Sequence, residues 1–176
     1  MSIPISNQVD GRKFDIRVFV LLVAHPRTGQ LQSWFYEEGY LRTSSASYSL
    51  SAKSLKNALV HLTNDGIQNQ DTTANGYGKY EEGNKLSYAQ FQAYLDALHP
   101  DGSKQGWVRG AMVDDMQTAL KEMVSAGCPI SDSDSGTGGG GLNPKKRRNC
   151  FELLGCDFMV DDQYQLKLIE VCVEGL

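Results

Sequence analysis

Apolar and polar positions along this chain follow two different periods. From Ile16 to Ala24 nearly every residue is β-branched, aromatic or aliphatic, which reads as a buried strand. His25 to Gly29 has the composition of a turn, Leu31 to Glu37 alternates and carries aromatics like a returning strand, and Gly39 to Arg42 begins another. The period then changes. Ser87-Tyr88-Ala89-Gln90 is a capping-box pattern, and Phe91, Tyr94, Leu95 and Leu98 fall on one helical face before Pro100 stops it. A second helix is expected from Trp107 to Ala126, with Val113, Met116, Leu120, Met123 and Val124 on one stripe and Gly127 and Pro129 as its stop. Phe151 to Asp161 and Leu166 to Val173 read as two strands of a hairpin around Asp162 to Gln165. Met1 to Asp10 reads as polar and irregular. Sheet, helices and hairpin in that order predict an α+β fold, mostly antiparallel sheet with flanking helices.

Composition narrows this picture. The chain has 176 residues, 40% of them hydrophobic, enough for one core, so residues 1–176 are expected to form a single domain. Ser131 to Arg148, with its Ser-Asp repeats, Gly138 to Gly141 and basic run from Lys145, reads as a flexible insertion within that domain. Lysine and arginine number 17 against 21 acidic residues, a net charge of −4, and this lacks the basic excess of a general nucleic-acid binder. The four cysteines form no Cys-x-x-Cys pair, and the three histidines lie far from them, so zinc spacing is absent. The longest apolar run, Val18 to Ala24, is too short to span a bilayer. A soluble cytoplasmic protein in a reducing compartment is the expectation, with neither nucleic acid nor membrane as partner.

Two constellations could carry chemistry. Lys13, Asp15 and Arg17 are two residues apart and so project from one face of a strand, while Ile16, Val18 and Val20 point the other way. Two cations around an anion could present organised charge to a phosphate or carboxylate. Equally, they could form a solvated strand edge with a weak ion pair. In the hairpin, pairing of Val160 with Lys167 would set Asp157 opposite Glu170 on one face. Two such carboxylates roughly 5 Å apart repel by about 3 kcal/mol at an effective dielectric near 20. A bound cation would compensate, and oxygen-only ligands suit magnesium. A slipped register, or carboxylates turned to water, remains the alternative.

At these residues the sequence resembles the tubulin tyrosine ligase family of ATP-grasp ligases. The resemblance is carried by Gly11-Arg12-Lys13-Phe14-Asp15-Ile16-Arg17, Gly39-Tyr40-Leu41-Arg42-Thr43 and His61-Leu62-Thr63-Asn64. It continues in Tyr77 to Asn84, Phe151 to Asp161 and Leu168-Ile169-Glu170-Val171, all in family order. Asn64 to Gln68 and Tyr77 to Asn84 look closer to the tyrosine ligase itself than to the family's glutamylases and glycylases. In such ligases ATP phosphorylates a carboxylate, and the amine of an incoming amino acid attacks the acyl phosphate. The resemblance implies that Lys13, Asp15, His61, Leu62, Thr63, Asn64 and Ile169 contribute to the nucleotide pocket. It further implies that Arg17 and Arg42 hold the reacting phosphate and the acidic acceptor, and that Asp157 and Glu170 are magnesium ligands.

Cys172 stands where the family motif has an asparagine that is a further metal ligand, and a thiol is a poor partner for magnesium. The chain is also expected to lack the earlier ATP-grasp portion that closes over the nucleotide, so by itself it should bind MgATP weakly or not at all. Two functional expectations follow. One is the C-terminal half of a ligase that uses ATP and magnesium to add an amino acid, tyrosine first among the candidates, to a tubulin C-terminal tail, working with a missing N-terminal half in the cytoplasm, at microtubules or cilia. The other is a non-catalytic module serving as a subunit of a larger protein assembly.

Overall fold

A computed structural model describes residues 8–71, 76–127 and 147–173. The backbone is built on a six-stranded, wholly antiparallel sheet: β1 (Gln8–Val9), β2 (Arg12–Ala24), β3 (Leu31–Ser47), β4 (Lys85–Ser87), β5 (Phe151–Val160) and β6 (Leu166–Val173). The strand order is β4-β3-β2-β5-β6, with β1 pairing with β2. Short helices α1 (Ala58–His61) and α2 (Asp65–Gln68) follow β3, while the longer α3 (Tyr88–Leu98) and α4 (Val113–Gly127) lie between β4 and β5. The fold is α+β, as expected. Arg147 and Arg148 are exposed, and the rest of the expected insertion at 131–148 lies outside the described residues.

Alternation along β2 divides the sheet into two faces. Phe14, Ile16, Val18, Val20 and Leu22 are each at most 4% exposed, and they form one core with Tyr88, Phe91 and Leu95 of α3 and Val113, Met116 and Leu120 of α4. The rings of Phe14 and Phe91 lie 5.2 Å apart in a tilted pair. α3 begins as its sequence implies: the Ser87 hydroxyl accepts from the Gln90 backbone N–H, and the Gln90 side chain accepts from the Ser87 N–H. The second helix is less regular than its apolar stripe suggests. Val108–Met112 is a π-helical turn broken at Gly110, and α-helix proper starts only at Val113.

The strand pattern needs three further corrections. β2 begins at Arg12 rather than Ile16, and the two segments expected at Leu31 and Gly39 are one strand of 17 residues. Gly39 makes that continuity possible. The register slips between Arg17 and Phe19, and a Cβ at Gly39 would lie 2.4 Å from the Tyr88 hydroxyl and 2.6 Å from the Arg17 carbonyl oxygen. Strand β1 also occupies part of the stretch expected to be irregular.

Candidate functional site

Lys13, Asp15 and Arg17 project from the face of β2 that the long helices do not cover. Neighbouring strands bring matching residues to the same face. Asp15 pairs with Arg42 of β3, Arg17 with Asp157 of β5, and Asp157 with Glu170 of β6. The β5–β6 hairpin reaches that last pairing by a route different from the expected one. Val160 pairs with Leu166, not Lys167, and an irregularity between Phe158 and Asp157 leaves Ile169 unpaired and returns Asp157 to Glu170.

The side chains form a continuous ionic chain. Arg42 donates from Nε to Asp15 Oδ1 at 2.8 Å and from Nη2 to Asp15 Oδ2 at 2.7 Å, a bidentate pair. Arg42 Nη2 also reaches Asp157 Oδ2 at 2.6 Å, and Arg17 donates to Asp157 Oδ1 at 2.5 Å and Oδ2 at 3.2 Å. Thr63 donates its hydroxyl to Asp15 Oδ2 at 2.5 Å. Asp15, Arg42, Thr63 and Asp157 are all buried. Burial pushes the Asp157 carboxyl upward, but the hydrogen bond from Arg17 and the charge and hydrogen bond of Arg42 outweigh it and leave the carboxyl below its ordinary value. The hydrogen bond to Asp157 raises Arg17, and for Arg42 the bonds to Asp15 and Asp157 overcome the cost of burial and raise it as well.

The compensation expected for the Asp157–Glu170 repulsion is therefore internal. Arginine supplies it, because β2 and β3 both deliver guanidiniums to Asp157. Glu170 is exposed and makes no ion pair among the described residues. Cys172 lies on the same face, paired with Gly155, and its thiol donates to the Gly155 carbonyl at 3.4 Å. Among the described residues no three His, Cys, Asp or Glu side chains converge as a metal cluster. Magnesium, however, commonly takes one or two carboxylates and completes its shell with phosphates and water. Asp157 and Glu170, cross-strand neighbours on one face, fit that smaller demand, provided the arginines release Asp157.

The remaining expected residues divide. The Lys13 amine donates to the His61 carbonyl at 2.7 Å, and burial lowers its pKa from the ordinary value. His61 ends α1; its ring packs edge-on to Tyr48 and its Nε2 lies 3.0 Å from the Ser54 carbonyl oxygen, so its side chain is engaged away from Asp15. Leu62 and Ile169 are exposed, Asn64 is the exposed N-cap of α2, and none of the three joins the ionic chain.

Sequence reasoning missed two features. Lys85 of β4 pairs with Arg42 and adds an exposed cation to this face, 5.7 Å from the Tyr40 ring centroid. A three-residue edge strand gives too short a pattern to read. Glu81, in the Tyr77 to Asn84 block, forms a two-pronged ion pair with buried Arg12 and accepts from the Thr43 hydroxyl at 2.9 Å, which fastens that loop beside Arg42. The signal was present in the charges of the two motifs, but nothing local pairs residues 69 apart. Beyond Arg17 the same face turns apolar. Phe19, Leu21, Trp34, Tyr36 and Leu153 line an open depression of about 440 Å³, which is separate from the charged residues.

Cross-strand arginines and carboxylates are thus gathered beside a threonine-bearing loop on a sheet face that the long helices leave uncovered. The chain belongs to the tubulin-tyrosine ligase family, whose model matches residues 8–174. It is 34% identical over 159 residues to tubulin glycylase 3A of Drosophila melanogaster, an alignment covering 90% of this chain and 14% of that protein. It is 30% identical over 167 residues to tubulin glycylase 3B of Tetrahymena thermophila, covering 93% and 12%. A probable tubulin polyglutamylase, TTLL9 of Rattus norvegicus, is 28% identical over 163 residues, covering 93% and 30%. The chain thus spans less than a third of the length of these relatives. No helix among the described residues is long and apolar enough to cross a membrane.

Proposed function

We propose that this chain is the part of a tubulin-modifying ligase that holds the nucleotide phosphates and the acidic acceptor while an amino acid is joined to a tubulin C-terminal tail. The observation that carries the reading is the Asp15–Arg42–Asp157–Arg17 chain on an uncovered face, at the positions where the family resemblance assigns phosphate and metal ligands. Relatives named as glycylases and a polyglutamylase support ligation to tubulin. Tyrosine as the added amino acid rests on the resemblance of Asn64 to Gln68 and Tyr77 to Asn84 alone, and a cytoplasmic site of action at microtubules or cilia follows from the substrate.

In this mechanism Arg17 and Arg42 stabilise the charge on the phosphoryl group as it passes from ATP to the acceptor carboxylate, acting by preorganised electrostatics. Asp15 and Thr63 fix the plane and position of the Arg42 guanidinium. Lys13, anchored on the His61 carbonyl, places a cation at the other end of the same face. Asp157 and Glu170 would hold magnesium, which supplies further charge neutralisation to the phosphates. Lys85, Arg17 and Arg42 together draw the acidic acceptor, although the whole chain is anionic.

The test is binding of a glutamate-rich tubulin tail peptide to the chain at low ionic strength with magnesium, against a neutral peptide of scrambled composition and equal length. The acidic peptide is expected to bind better, to weaken with salt, and to weaken with Lys85→Ala and Arg42→Lys. Equal binding of both peptides, or no response to either substitution, contradicts the acceptor assignment. The exposed apolar half of the face favours a second reading, in which the chain is a non-catalytic module packed against another protein. That reading expects neither nucleotide nor tail binding.

A further inference from the structure

Asp157 occupies the two side chains that the proposed function requires for phosphate. Its Oδ1 accepts from Arg17 and its Oδ2 accepts from both Arg17 and Arg42, and it is 3% exposed. Arg42 is bound a second time, bidentately, to Asp15, which Thr63 holds in turn. Charge-assisted bonds of this kind are among the strongest that side chains make. An anion arriving alone must displace a buried carboxylate and leave it without its cations, and an uncompensated buried charge is costly. A divalent cation arriving alone meets a carboxylate already neutralised by two guanidiniums. The two together meet neither obstacle. Asp157 can turn to the cation beside Glu170 while Arg17 and Arg42 turn to the anion, and every charge keeps a partner throughout.

We propose that Asp157 is the residue that makes this site selective for metal-complexed polyphosphate over free anions, by standing in for the phosphate on Arg17 and Arg42 until a divalent cation takes it over. The proposal rests on the nucleotide reading above and adds to it a specificity-determining role. Asp157 is then more than a metal ligand: while no divalent cation is bound, it excludes free phosphate, sulfate and acidic side chains from the arginines. Binding of cation and anion becomes reciprocal, each raising affinity for the other. Glu170, which makes no ion pair among the described residues, is available for the cation from the outset.

Inorganic tripolyphosphate and magnesium chloride are suitable probes, titrated into the full chain by calorimetry with EDTA or with saturating magnesium. Wild type is expected to bind tripolyphosphate at least about tenfold more tightly with magnesium than with EDTA. Asp157→Asn, which keeps the shape and removes the charge, is expected to bind at least about tenfold more tightly than wild type in EDTA and to gain less than about threefold from magnesium. If wild type binds with magnesium but Asp157→Asn is no tighter than wild type in EDTA, the proposal falls and the nucleotide reading stands. If neither protein binds tripolyphosphate or ATP under either condition, both fall. A second measurement avoids reliance on the variant's folding: the Nε–H resonances of Arg17 and Arg42 in the wild type should stay in place with either probe alone and move when both are present. Movement with tripolyphosphate alone overturns the proposal.

Discussion

The two faces of this sheet share one backbone and differ in what opposes them. On the covered face, β2 sends Phe14, Ile16, Val18, Val20 and Leu22 into α3 and α4, and the residues are sealed. On the other face no long helix covers Lys13, Asp15 and Arg17, which meet the adjacent strands and the segment 61–63, yet Asp15 is 8% exposed and Asp157 3%. The charged half of this face is closed by mutual ion pairing and by the short segment 61–63 rather than by a layer of long helices. The apolar half is not closed at all: Trp34 is 49% exposed and Tyr36 61%. Burial on one face comes from apolar packing and on the other from charges that neutralise one another. Only the second can be undone by a ligand that offers the same charges.

The largest expected effects equate the sealed parts of the two faces. Phe14→Ala should cost about 3–5 kcal/mol through loss of a buried aromatic packed on Phe91. Asp15→Ala should cost nearly as much, about 3 kcal/mol, because Arg42 loses its bidentate partner while still buried. Chemical denaturation measures both, and an Asp15→Ala cost under about 1 kcal/mol would mean that the charged half behaves as a solvated surface. Gly39→Ala should cost about 1–3 kcal/mol, since its new methyl meets the Arg17 carbonyl oxygen and the Tyr88 hydroxyl as overpacking.

A smaller effect follows from pH. The folded Asp157 carboxyl lies below its ordinary value, so its contribution is full above an unfolded pKa of about 3.9 and is lost as pH falls from there through the lower folded value. Acid unfolding of Asp157→Asn should therefore show a shallower loss of stability below about pH 4 than wild type, and equal slopes would contradict the pairing. Smallest of all, Tyr36→Ala on the open apolar half should change stability by no more than about 0.5 kcal/mol.

What could be read from the chain in advance follows the range of the interactions. The α3 capping box and its stripe of Phe91, Tyr94, Leu95 and Leu98 are signals contained within one helix; the cap held to the residue, and of the stripe Phe91 and Leu95 are buried while Leu98 is exposed. The alternation of β2 announced which side chains share a face, and Asp157 does face Glu170. The route to that pair escaped notice because the hairpin irregularity at Ile169 has no composition of its own. Short α1 and α2 and the edge strand β4 carry too few residues for any period. Hardest to foresee was the neutralisation of Asp157. It depends on Arg17 and Arg42 arriving from 140 and 115 residues away, and only pairing of β2 with both β3 and β5 brings them together. Reading the two carboxylates alone made an external cation look necessary, whereas the complete strand order supplies the cations from within.

The most direct test of the account is amide and side-chain NMR of the chain during titration with MgATP, which registers weak binding as well as strong. Shifts are expected to concentrate at Lys13, Asp15, Arg17, Arg42, Thr63 and Asp157, with Trp34, Tyr36 and the buried stripe of α4 unchanged. Shifts centred on Trp34, Tyr36 and Leu153, or none at Arg17 and Arg42 at millimolar nucleotide, would contradict the assignment of the charged half of the open face as the phosphate site.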